Sequence, residues 1–176
     1  SVRGEYTDHF RPDIDVRDCK FIWLGTSQKF DDAFTFIFEE TKHGWVWVHA
    51  YQFDDNTATV IAECTNETWE KFGFADMSKE QTISTCEEIF SDYLGGHSLR
   101  SNADHLRGSA VWMNFPRVIC EKWHYENIVL MGDAAATGHF SIGSGSRLAF
   151  DSAISLASYL HSESSMETAF ERYQEE

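Results

Sequence analysis

The sequence predicts an α+β fold, in which an antiparallel sheet is followed by helices and by one strand–loop–helix segment. The early part of the chain is rich in β-branched and aromatic residues separated by short polar turns. A helical pattern begins at Ser78, and an apolar run before Gly132 leads through a Gly-Ser-Gly turn into a second helical pattern. With 176 residues, the chain is long enough to bury one substantial core.

Four strands are predicted first, and their short connections favour a meander. The predicted strands are residues 20–26, 33–39, 44–53 and 57–63. The connections at residues 42–44 and 54–56 have the length of hairpin turns. We therefore expect each strand to pair with the next one along the chain.

A helix is predicted at residues 78–94, followed by two more strands. Ser78 and Gln81 have the spacing of a capping box, and Gly95 would end the helix. Its buried side is predicted to contain Thr82, Cys86, Ile89, Phe90 and Tyr93. The two strands are residues 110–115 and 117–123, on either side of Pro116.

The strand at residues 44–53 has one almost wholly aromatic face. Alternation places Trp45, Trp47, His49, Tyr51 and Phe53 on the same side of the strand. One interpretation is a wall for a planar aromatic substrate, with His49 as its polar group. The other is a sheet face packed beneath a helix, with His49 hydrogen-bonded to a neighbour. We expect packing for most of these aromatic side chains and retain Trp47 and His49 as candidate substrate contacts.

The apolar run at residues 128–131 predicts a buried strand that ends at Gly132. Asp133 would then lie at the carboxyl end of that strand, where ligands of open α/β sheets bind. A carboxylate in this position can accept hydrogen bonds from sugar or polyol hydroxyls. Asp133 is therefore a candidate cofactor ligand.

A Gly-Ser-Gly turn then precedes a long amphipathic helix. Ser144 and Ser146 are candidate N-caps, and backbone N–H groups near Gly143 and Gly145 would remain open to an electron-rich partner. Arg147 lies in the first turn, where the helix dipole disfavours a cation, so we expect a phosphate, an acidic side chain or solvent beside it. The predicted packing stripe consists of Ala149, Ala153, Leu156, Ala157 and Leu160.

These residues carry a family resemblance. GDAA followed by GHFSIGSGSRLAFDSA resembles the second flavin-binding motif of the single-component FAD-dependent aromatic monooxygenases, which have the para-hydroxybenzoate hydroxylase fold. HFSIGSG followed by a basic residue and LA is similar to the branch that contains the salicylyl-CoA 5-hydroxylases, the 2-aminobenzoyl-CoA monooxygenase/reductases and a tryptophan hydroxylase. KFIWLGT, VHAYQFD and RGSAVWMNFPRVICEKW also resemble the CoA-ester branch, in the same order along the chain.

The resemblance implies an FAD-dependent monooxygenase that hydroxylates an aromatic substrate, with an aromatic acyl-CoA expected. In this family NADH or NADPH reduces FAD, and a C4a-hydroperoxyflavin formed with O2 delivers the oxygen. The implied cofactor-binding residues are Arg3, Gly132, Asp133, Gly143, Ser144 and Gly145. The implied catalytic candidates are His49 and His139, and the implied substrate contacts are Trp47, His49 and Phe140. His139 could instead shape its loop by hydrogen bonding to the backbone.

The family's N-terminal G-x-G-x-x-G unit has no counterpart in this sequence. Ser1-Val2-Arg3 resembles the end of the family's middle motif, so we expect a fragment that is inactive alone and binds FAD weakly or not at all. Residues 1–12 would close an FAD-domain segment, and residues 13–126 would form the substrate-binding domain. Residues 127–162 would form the FAD-binding strand–loop–helix, and residues 163–176 would begin a C-terminal helix. In the full-length family the fold is α/β.

The composition of the chain limits the classes of molecule that we expect it to bind. The formal net charge of −15 and the pI near 4.8 disfavour nucleic acid and anionic membranes, because like charges repel. The sequence contains no apolar run of roughly 18 residues and no signal peptide pattern, so we expect a cytoplasmic protein. The cysteines Cys19, Cys64, Cys86 and Cys120 are dispersed, which predicts reduced thiols and no metal site. A homodimer is the oligomeric state that we keep as a candidate for this protein.

Two alternatives remain open at this point. The chain could belong to a flavoprotein that acts on a free aromatic or indole compound, by hydroxylation, halogenation or simple oxidation. It could also be a non-catalytic domain that keeps the fold and no longer binds flavin. An upstream G-x-G-x-x-G turn would exclude the second alternative.

Overall fold

The computed structural model describes residues 1–30, 34–101 and 112–176. They form two compact units. The first unit contains Ser1–Arg17 and Pro116–Glu176, and the second contains Asp18–Phe115. The mixture of helices with an antiparallel sheet confirms the predicted α+β class.

The sheet contains six strands. Their bounds are β1 Pro12–Thr26, β2 Thr35–Thr41, β3 Gly44–Asp54, β4 Thr57–Thr65, β5 Leu99–Ser101 and β6 Met113–Cys120. The spatial order is β2-β3-β4-β1-β5, and β6 also pairs with β1. The β2–β3 and β3–β4 hairpins confirm two of the predicted connections.

The full meander was wrong, because β1 pairs with β4 and not with β2. Strand β4 is buried along nearly its whole length. A strand with this burial requires a hydrogen-bonded neighbour on each edge, and β3 and β1 supply them. The strand predicted at residues 33–39 is observed from Thr35 onward, and residue 33 lies outside the described residues.

The aliphatic side of the sheet faces the helices of this unit. Val46, Val48 and Ala50 belong to a buried cluster with Cys86 and Phe90. The helices here are α3 Asn66–Phe72, α4 Lys79–Ile89 and α5 Ser91–Leu94. Among the described residues, α4 and α5 therefore pack on the aliphatic side of β3, and the packing of the aromatic side beneath a helix stays a prediction.

The helix predicted at residues 78–94 is divided in two at Phe90, where φ is −107° and ψ is 18°. The capping box is confirmed: Ser78 Oγ accepts from the Gln81 amide, and Gln81 Oε1 accepts from the Ser78 amide. Gly95, with φ of 55°, ends α5 as predicted. Tyr93 is exposed and donates to Glu39 at 2.6 Å, contrary to its predicted burial, because the break at Phe90 changes the helical phase.

The residues around Pro116 form the single strand β6 and not two strands. Residues 110 and 111, the start of the first predicted strand, lie outside the described residues. Beyond Pro116, Val118 and Cys120 exchange backbone hydrogen bonds with Thr137 and Ala135. This edge of β6 therefore fixes the segment that follows the GDAA sequence.

The first unit is mostly helical. Its helices are α1 Val2–Glu5, α2 Thr7–Phe10, α6 Gly145–Ser162 and α7 Met166–Glu175, and its hairpin consists of β7 His124–Tyr125 and β8 Ile128–Val129. The strand predicted at residues 128–131 is thus only two residues long and pairs antiparallel with β7. The Leu130 amide still donates to the Trp123 carbonyl at 2.7 Å, and the Leu130 carbonyl accepts from the Tyr173 hydroxyl of α7 at 3.2 Å.

The long helix predicted after Gly145 is confirmed as α6. Leu156 is buried against Phe170 and Tyr173 of α7. Ala157 and Leu160 are exposed, which corrects part of the predicted stripe, because the packed face includes Tyr159 instead. No helix among the described residues combines the length and apolar character needed to cross a membrane.

Candidate functional site

The GDAA sequence forms a tight turn that only glycine can begin without strain. Gly132 has φ of 54° and starts a 3-10 turn at Gly132–Ala134. A Cβ atom on Gly132 would lie 3.1 Å from the Cβ of Ala149 in α6. The glycine therefore serves two purposes: it allows the left-handed backbone, and it lets the helix approach the turn closely.

Arg3 is bound to the same turn, although 130 residues separate it from Asp133. Its Nη1 donates to the carbonyl oxygens of Asp133 and Ala134, each at 3.1 Å. The structure thus brings together three of the predicted cofactor residues, Arg3, Gly132 and Asp133. The Asp133 side chain is exposed, so its carboxylate can accept hydrogen bonds from a ligand.

The start of α6 carries an uncapped set of backbone N–H groups. Ser144 occupies the N-cap position, but its side chain makes no capping hydrogen bond and instead donates to the Ile142 carbonyl at 3.1 Å. Ser146 lies inside the helix and is not an N-cap, contrary to the alternative prediction. The first N–H groups of a helix have no intrahelical acceptor, so they are available to an electron-rich ligand.

The space in front of these groups is open. Gly143 has φ of 62°, and a Cβ atom on Gly143 or on Gly145 would meet no atom within 4 Å. Arg147 lies 3.5 Å from Asp151 and its side chain is 83% exposed, so two of the expected surroundings, an acidic side chain and solvent, are both present. The uncapped amides, and the space beside Gly143 and Gly145 that the described residues leave open, fit the electron-rich edge of a flavin ring.

His139 and Phe140 lie between the two glycine turns. His139 Nδ1 accepts from the Ser141 amide at 3.3 Å and lies 2.7 Å from Ser141 Oγ. His139 thus begins the 3-10 turn Phe140–Ile142, and its ring contacts that of Phe140. Because Nδ1 accepts, the hydrogen of the neutral ring is on Nε2. The structure shows the turn-shaping role of His139, and its catalytic role remains a prediction.

Two cavities of this unit lie largely apart from the predicted contacts. A cavity of about 670 Å³ is lined by His9, Lys122 and Tyr125 among others and contains none of the predicted site residues. A second, of about 200 Å³, contains only Gly132 of them, together with Leu148 and other residues.

In the second unit, the predicted substrate residues Trp47 and His49 lie together on the aromatic face of the sheet. His49 is 5 % exposed, and the ring of Phe36 meets it edge-on with centroids 4.9 Å apart. Trp47 Nε1 donates to Glu63 Oε2 at 2.9 Å, and His49 Nε2 lies 3.6 Å from the same oxygen. Trp47 and His49 are thus joined through a buried carboxylate.

Glu63 is the residue of this cluster that the sequence analysis missed. It is 4 % exposed and is the only charged residue of β4. A single carboxylate inside a strand of apolar and hydroxyl residues is a signal that the sequence does contain, because a buried charge requires a partner.

The cysteines behave as buried thiols. None of the four forms a disulfide, and Cys64, Cys86 and Cys120 are buried, as predicted. Burial raises the pKa of Cys64 and that of Cys86 to about 12 each, and the charge of Glu63 adds to the effect on Cys64. These two thiols stay protonated at physiological pH.

Comparison with curated proteins relates almost the whole chain to monooxygenases. Salicyloyl-CoA 5-hydroxylase from a Streptomyces species is 35% identical over 98% of this chain and 34% of the relative. Protodeoxyviolaceinate monooxygenase from Chromobacterium violaceum is 34% identical over 98% of this chain and 44% of the relative. The chain thus spans less than half the length of these relatives. No protein-family model matches the chain.

Solved structures agree on the fold. The chain matches 2-methyl-3-hydroxypyridine-5-carboxylic acid oxygenase with a TM-score of 0.70 at 17% identity, over 96% of this chain and 45% of that one. It matches a flavin-dependent brominase with a TM-score of 0.64 at 10% identity, over 93% of this chain and 42% of that one. The fold is therefore that of the flavin-dependent hydroxylases. In sequence, the chain is similar to monooxygenases over less than half of their length.

Proposed function

We propose that this chain is the substrate-binding and flavin-contacting part of a longer FAD-dependent monooxygenase that hydroxylates an aromatic acyl-CoA. The observation that carries this proposal is the uncapped start of α6, where open N–H groups follow a glycine turn with free space beside Gly143 and Gly145 among the described residues. The 35% identity to a salicyloyl-CoA 5-hydroxylase supports the substrate class. We place the protein in the cytoplasm and consider a homodimer as its assembly.

The first unit would contact the cofactor. The amides at Ser144 and Gly145 would face the electron-rich edge of the flavin and stabilise negative charge on it. Gly143, whose own amide donates to the Phe140 carbonyl at 3.0 Å, would shape the turn beside the ring. Asp133 would accept hydrogen bonds from cofactor hydroxyls, and Arg3 holds the backbone of the Asp133 turn in place. Bound FAD that has been reduced by NADH or NADPH would use O2 to supply the oxygen atom that is added to the aromatic ring of the substrate.

The second unit would contact the substrate. Trp47 offers an aromatic surface to a planar ring, and His49 offers a polar group that can take a proton from a ring hydroxyl. Removing that proton raises the electron density of the ring and thereby favours attack on an electrophilic oxygen. Phe140, in the loop before α6, is a further proposed substrate contact. His139 remains a catalytic candidate whose ring is oriented by Ser141.

The cofactor proposal is tested in the protein encoded by the complete reading frame that contains this sequence. Gly145→Asp would place a carboxylate at the helix start and lower FAD affinity roughly tenfold or more, because the carboxylate competes for the open amides. Ser158→Asp, an exposed position in the same helix, is the matched control and should bind FAD as the wild type does. Equal flavin binding by the two variants would contradict the proposed site.

The substrate proposal is tested by comparing salicyloyl-CoA with free salicylate in the same protein. We expect NAD(P)H consumption coupled to incorporation of one oxygen atom from labelled O2 into salicyloyl-CoA. A second candidate is hydroxylation of a free aromatic compound, which the 34% identity to protodeoxyviolaceinate monooxygenase favours. Faster coupled turnover with free salicylate would select that candidate, and no bound flavin would exclude both.

A further inference from the structure

The cavity of about 670 Å³ in the first unit is lined by none of the predicted flavin or substrate residues. Its wall is formed by residues of α2, of the β7–β8 hairpin and of α7, together with Arg11 and Lys122. Its volume falls within the roughly 300–1,000 Å³ of small-molecule sites. The cavity is therefore large enough for a ligand, and its wall indicates the class of ligand.

Two residues of this wall have a backbone conformation that a side chain disfavours. Arg11 and Glu126, with φ of 45° and 51°, are the only non-glycine residues with positive φ in the described parts of the chain, and both line the cavity. Glu126 is the first central residue of the two-residue turn between β7 and β8, where a positive φ favours glycine. Backbone strain of this kind is concentrated at functional sites. The sequence thus places a carboxylate at a turn position where glycine would be less strained.

The Glu126 carboxylate lies beside a stack of two rings. The rings of His9 and Tyr125 are nearly parallel, with an angle of 19° between them and centroids 3.5 Å apart. A hydrogen bond to the Glu126 carboxylate raises the pKa of Tyr125. His9 is exposed and lines the cavity, so a ligand can reach the stack. Aromatic rings attract organic cations, and a carboxylate beside them adds charge-assisted hydrogen bonds.

The charges of the wall also favour a cation. The wall contains four carboxylates and two cationic side chains, which are Asp8, Glu126, Glu167, Glu171, Arg11 and Lys122. Its formal charge with neutral histidines is therefore −2. Arg11 is already paired with Glu121 at 3.1 Å, so its charge is largely compensated.

Glu167 and Glu171 lie one turn apart on α7, where like charges destabilise a helix. None of the ion pairs between described residues involves either of them. A ligand cation near both would remove this repulsion. A guanidinium group suits the whole wall, because it stacks on aromatic rings and its N–H groups can donate to more than one carboxylate.

We propose that this cavity binds a guanidinium group, which stacks beside His9 and Tyr125 and donates hydrogen bonds to the carboxylates of Glu126 and Glu171. A free guanidine compound and an arginine side chain of a protein partner carry the same group. The inference is independent of the proposed flavin chemistry, because the wall contains none of the residues assigned to that chemistry.

The test is a calorimetric titration of the protein encoded by the complete reading frame that contains this sequence. Butylguanidine should bind, and butylurea, its neutral counterpart, should bind at least roughly tenfold more weakly, because it lacks the charge that strengthens the hydrogen bonds. A blocked tripeptide with a central arginine distinguishes the sources. Tighter binding of the tripeptide than of butylguanidine would indicate a protein partner, and the reverse order would indicate a free compound.

Three results of this titration would overturn the proposal. They are binding of neither guanidinium probe, equal binding of butylguanidine and butylurea, and tighter binding of adenosine monophosphate than of butylguanidine. The last result would mean that Lys122 and the histidines make the cavity an anion site.

A matched pair of variants on α7 tests the carboxylates. Glu171→Gln should lower the affinity for butylguanidine about three- to tenfold, because an ionised acceptor is lost. Glu175→Gln is the control, because Glu175 is an exposed residue of the same helix and does not line the cavity. It should bind butylguanidine as the wild type does. Equal affinities of the two variants would contradict the role of Glu171.

Glu126→Gly separates a ligand-binding role from a structural one. Glycine adopts a positive φ without steric cost, so the urea midpoint should be at or above that of the wild type. The affinity for butylguanidine should nevertheless fall about three- to tenfold. An unchanged affinity would overturn the assignment of Glu126, and a lower midpoint would overturn the argument from backbone strain. Bound FAD, measured in the same samples, should be unaffected, so failure of the flavin proposal is read separately.

Discussion

Gly132 combines two demands at one residue, a left-handed backbone and a close approach to a helix. Gly132→Ala should lower the free energy of unfolding by about 1 kcal/mol for the backbone and by at least about 1 kcal/mol more for the contact with Ala149. Gly143→Ala is the matched control, because Gly143 has a similar φ and open space in front of it. Urea unfolding followed by circular dichroism measures both changes. Equal losses would show that the approach of α6 to the turn is not tight.

The buried thiols make stability depend on alkaline pH. Cys86 has an ordinary pKa near 9.0 when unfolded and about 12 in the folded protein, because burial disfavours the thiolate. Between these values the unfolded chain binds fewer protons than the folded one, so the free energy of unfolding falls as pH rises. Below pH 9 this contribution is fully present.

The prediction is measured by urea unfolding at several pH values between 8 and 11. Cys86→Ala should weaken the alkaline loss of stability, since one of the thiols that carries it is removed. Between pH 6 and pH 8 the Cys86 thiol is protonated in both the folded and the unfolded wild type. The difference in the free energy of unfolding between the wild type and Cys86→Ala should therefore stay constant there. An alkaline slope identical in the two proteins would contradict the buried-thiol explanation.

The role of a residue could be predicted from the sequence where it depends on neighbours within one turn. It could not be predicted where it depends on residues far away in the sequence. The capping residues Ser78 and Gln81 act within one turn, so their spacing was sufficient. Burial of Tyr93 was predicted from a continuous helix, and the break at Phe90 removed it. Glu63 was missed because its significance depends on Trp47 and His49, which lie on another strand.

At the scale of elements, α4 and α6 each have a serine at the N-cap position, but only Ser78 of α4 makes a capping hydrogen bond. Ser78→Ala should lower the free energy of unfolding by about 1 kcal/mol, because the Gln81 amide loses its acceptor. Ser144→Ala should change it by less than about 0.5 kcal/mol, because the Ser144 side chain makes no capping hydrogen bond. Urea unfolding of the two variants is the measurement. A comparable loss in Ser144→Ala would mean that its hydroxyl does cap α6 in solution.

The hairpins and helices could be predicted from periodicity and turn residues, whereas strand pairing could not. The connections at residues 42–44 and 54–56 are short, so neighbouring strands had to pair. The partner of β1 is chosen by the burial of β4, which no local pattern records. Which side of β3 faces α4 depends on the same tertiary packing, and alternation along the strand does not record it.

At the scale of the whole molecule, the excess of acidic residues predicts a salt response. With 14 basic and 29 acidic residues, the net charge is −15, and compaction brings like charges together. Raising NaCl from a low concentration to about 0.3 M should raise the urea midpoint, because salt screens this repulsion. Exposed ion pairs such as Arg11–Glu121 oppose the effect only weakly. A falling midpoint would show that such pairs outweigh the net repulsion.

The turn of the flavin-binding motif was located from the sequence, whereas the hydrogen bonds that join Arg3 to this turn were not. GDAA and the following glycines identified Gly132, Asp133 and the start of α6 by their local pattern. The hydrogen bonds from Arg3 to the Asp133 and Ala134 carbonyls join positions from opposite ends of the chain, and composition and spacing contain no information on such a contact.

The attachment of Arg3 has a consequence for biosynthesis. The unit Asp18–Phe115 is continuous in sequence, whereas the other unit joins Ser1–Arg17 to Pro116–Glu176. During translation the ribosome synthesises all of the continuous unit before Asp133 is made, and domains generally fold as units as they emerge. The first seventeen residues must therefore wait, tethered to a neighbour that has already folded, until their binding partners leave the exit tunnel.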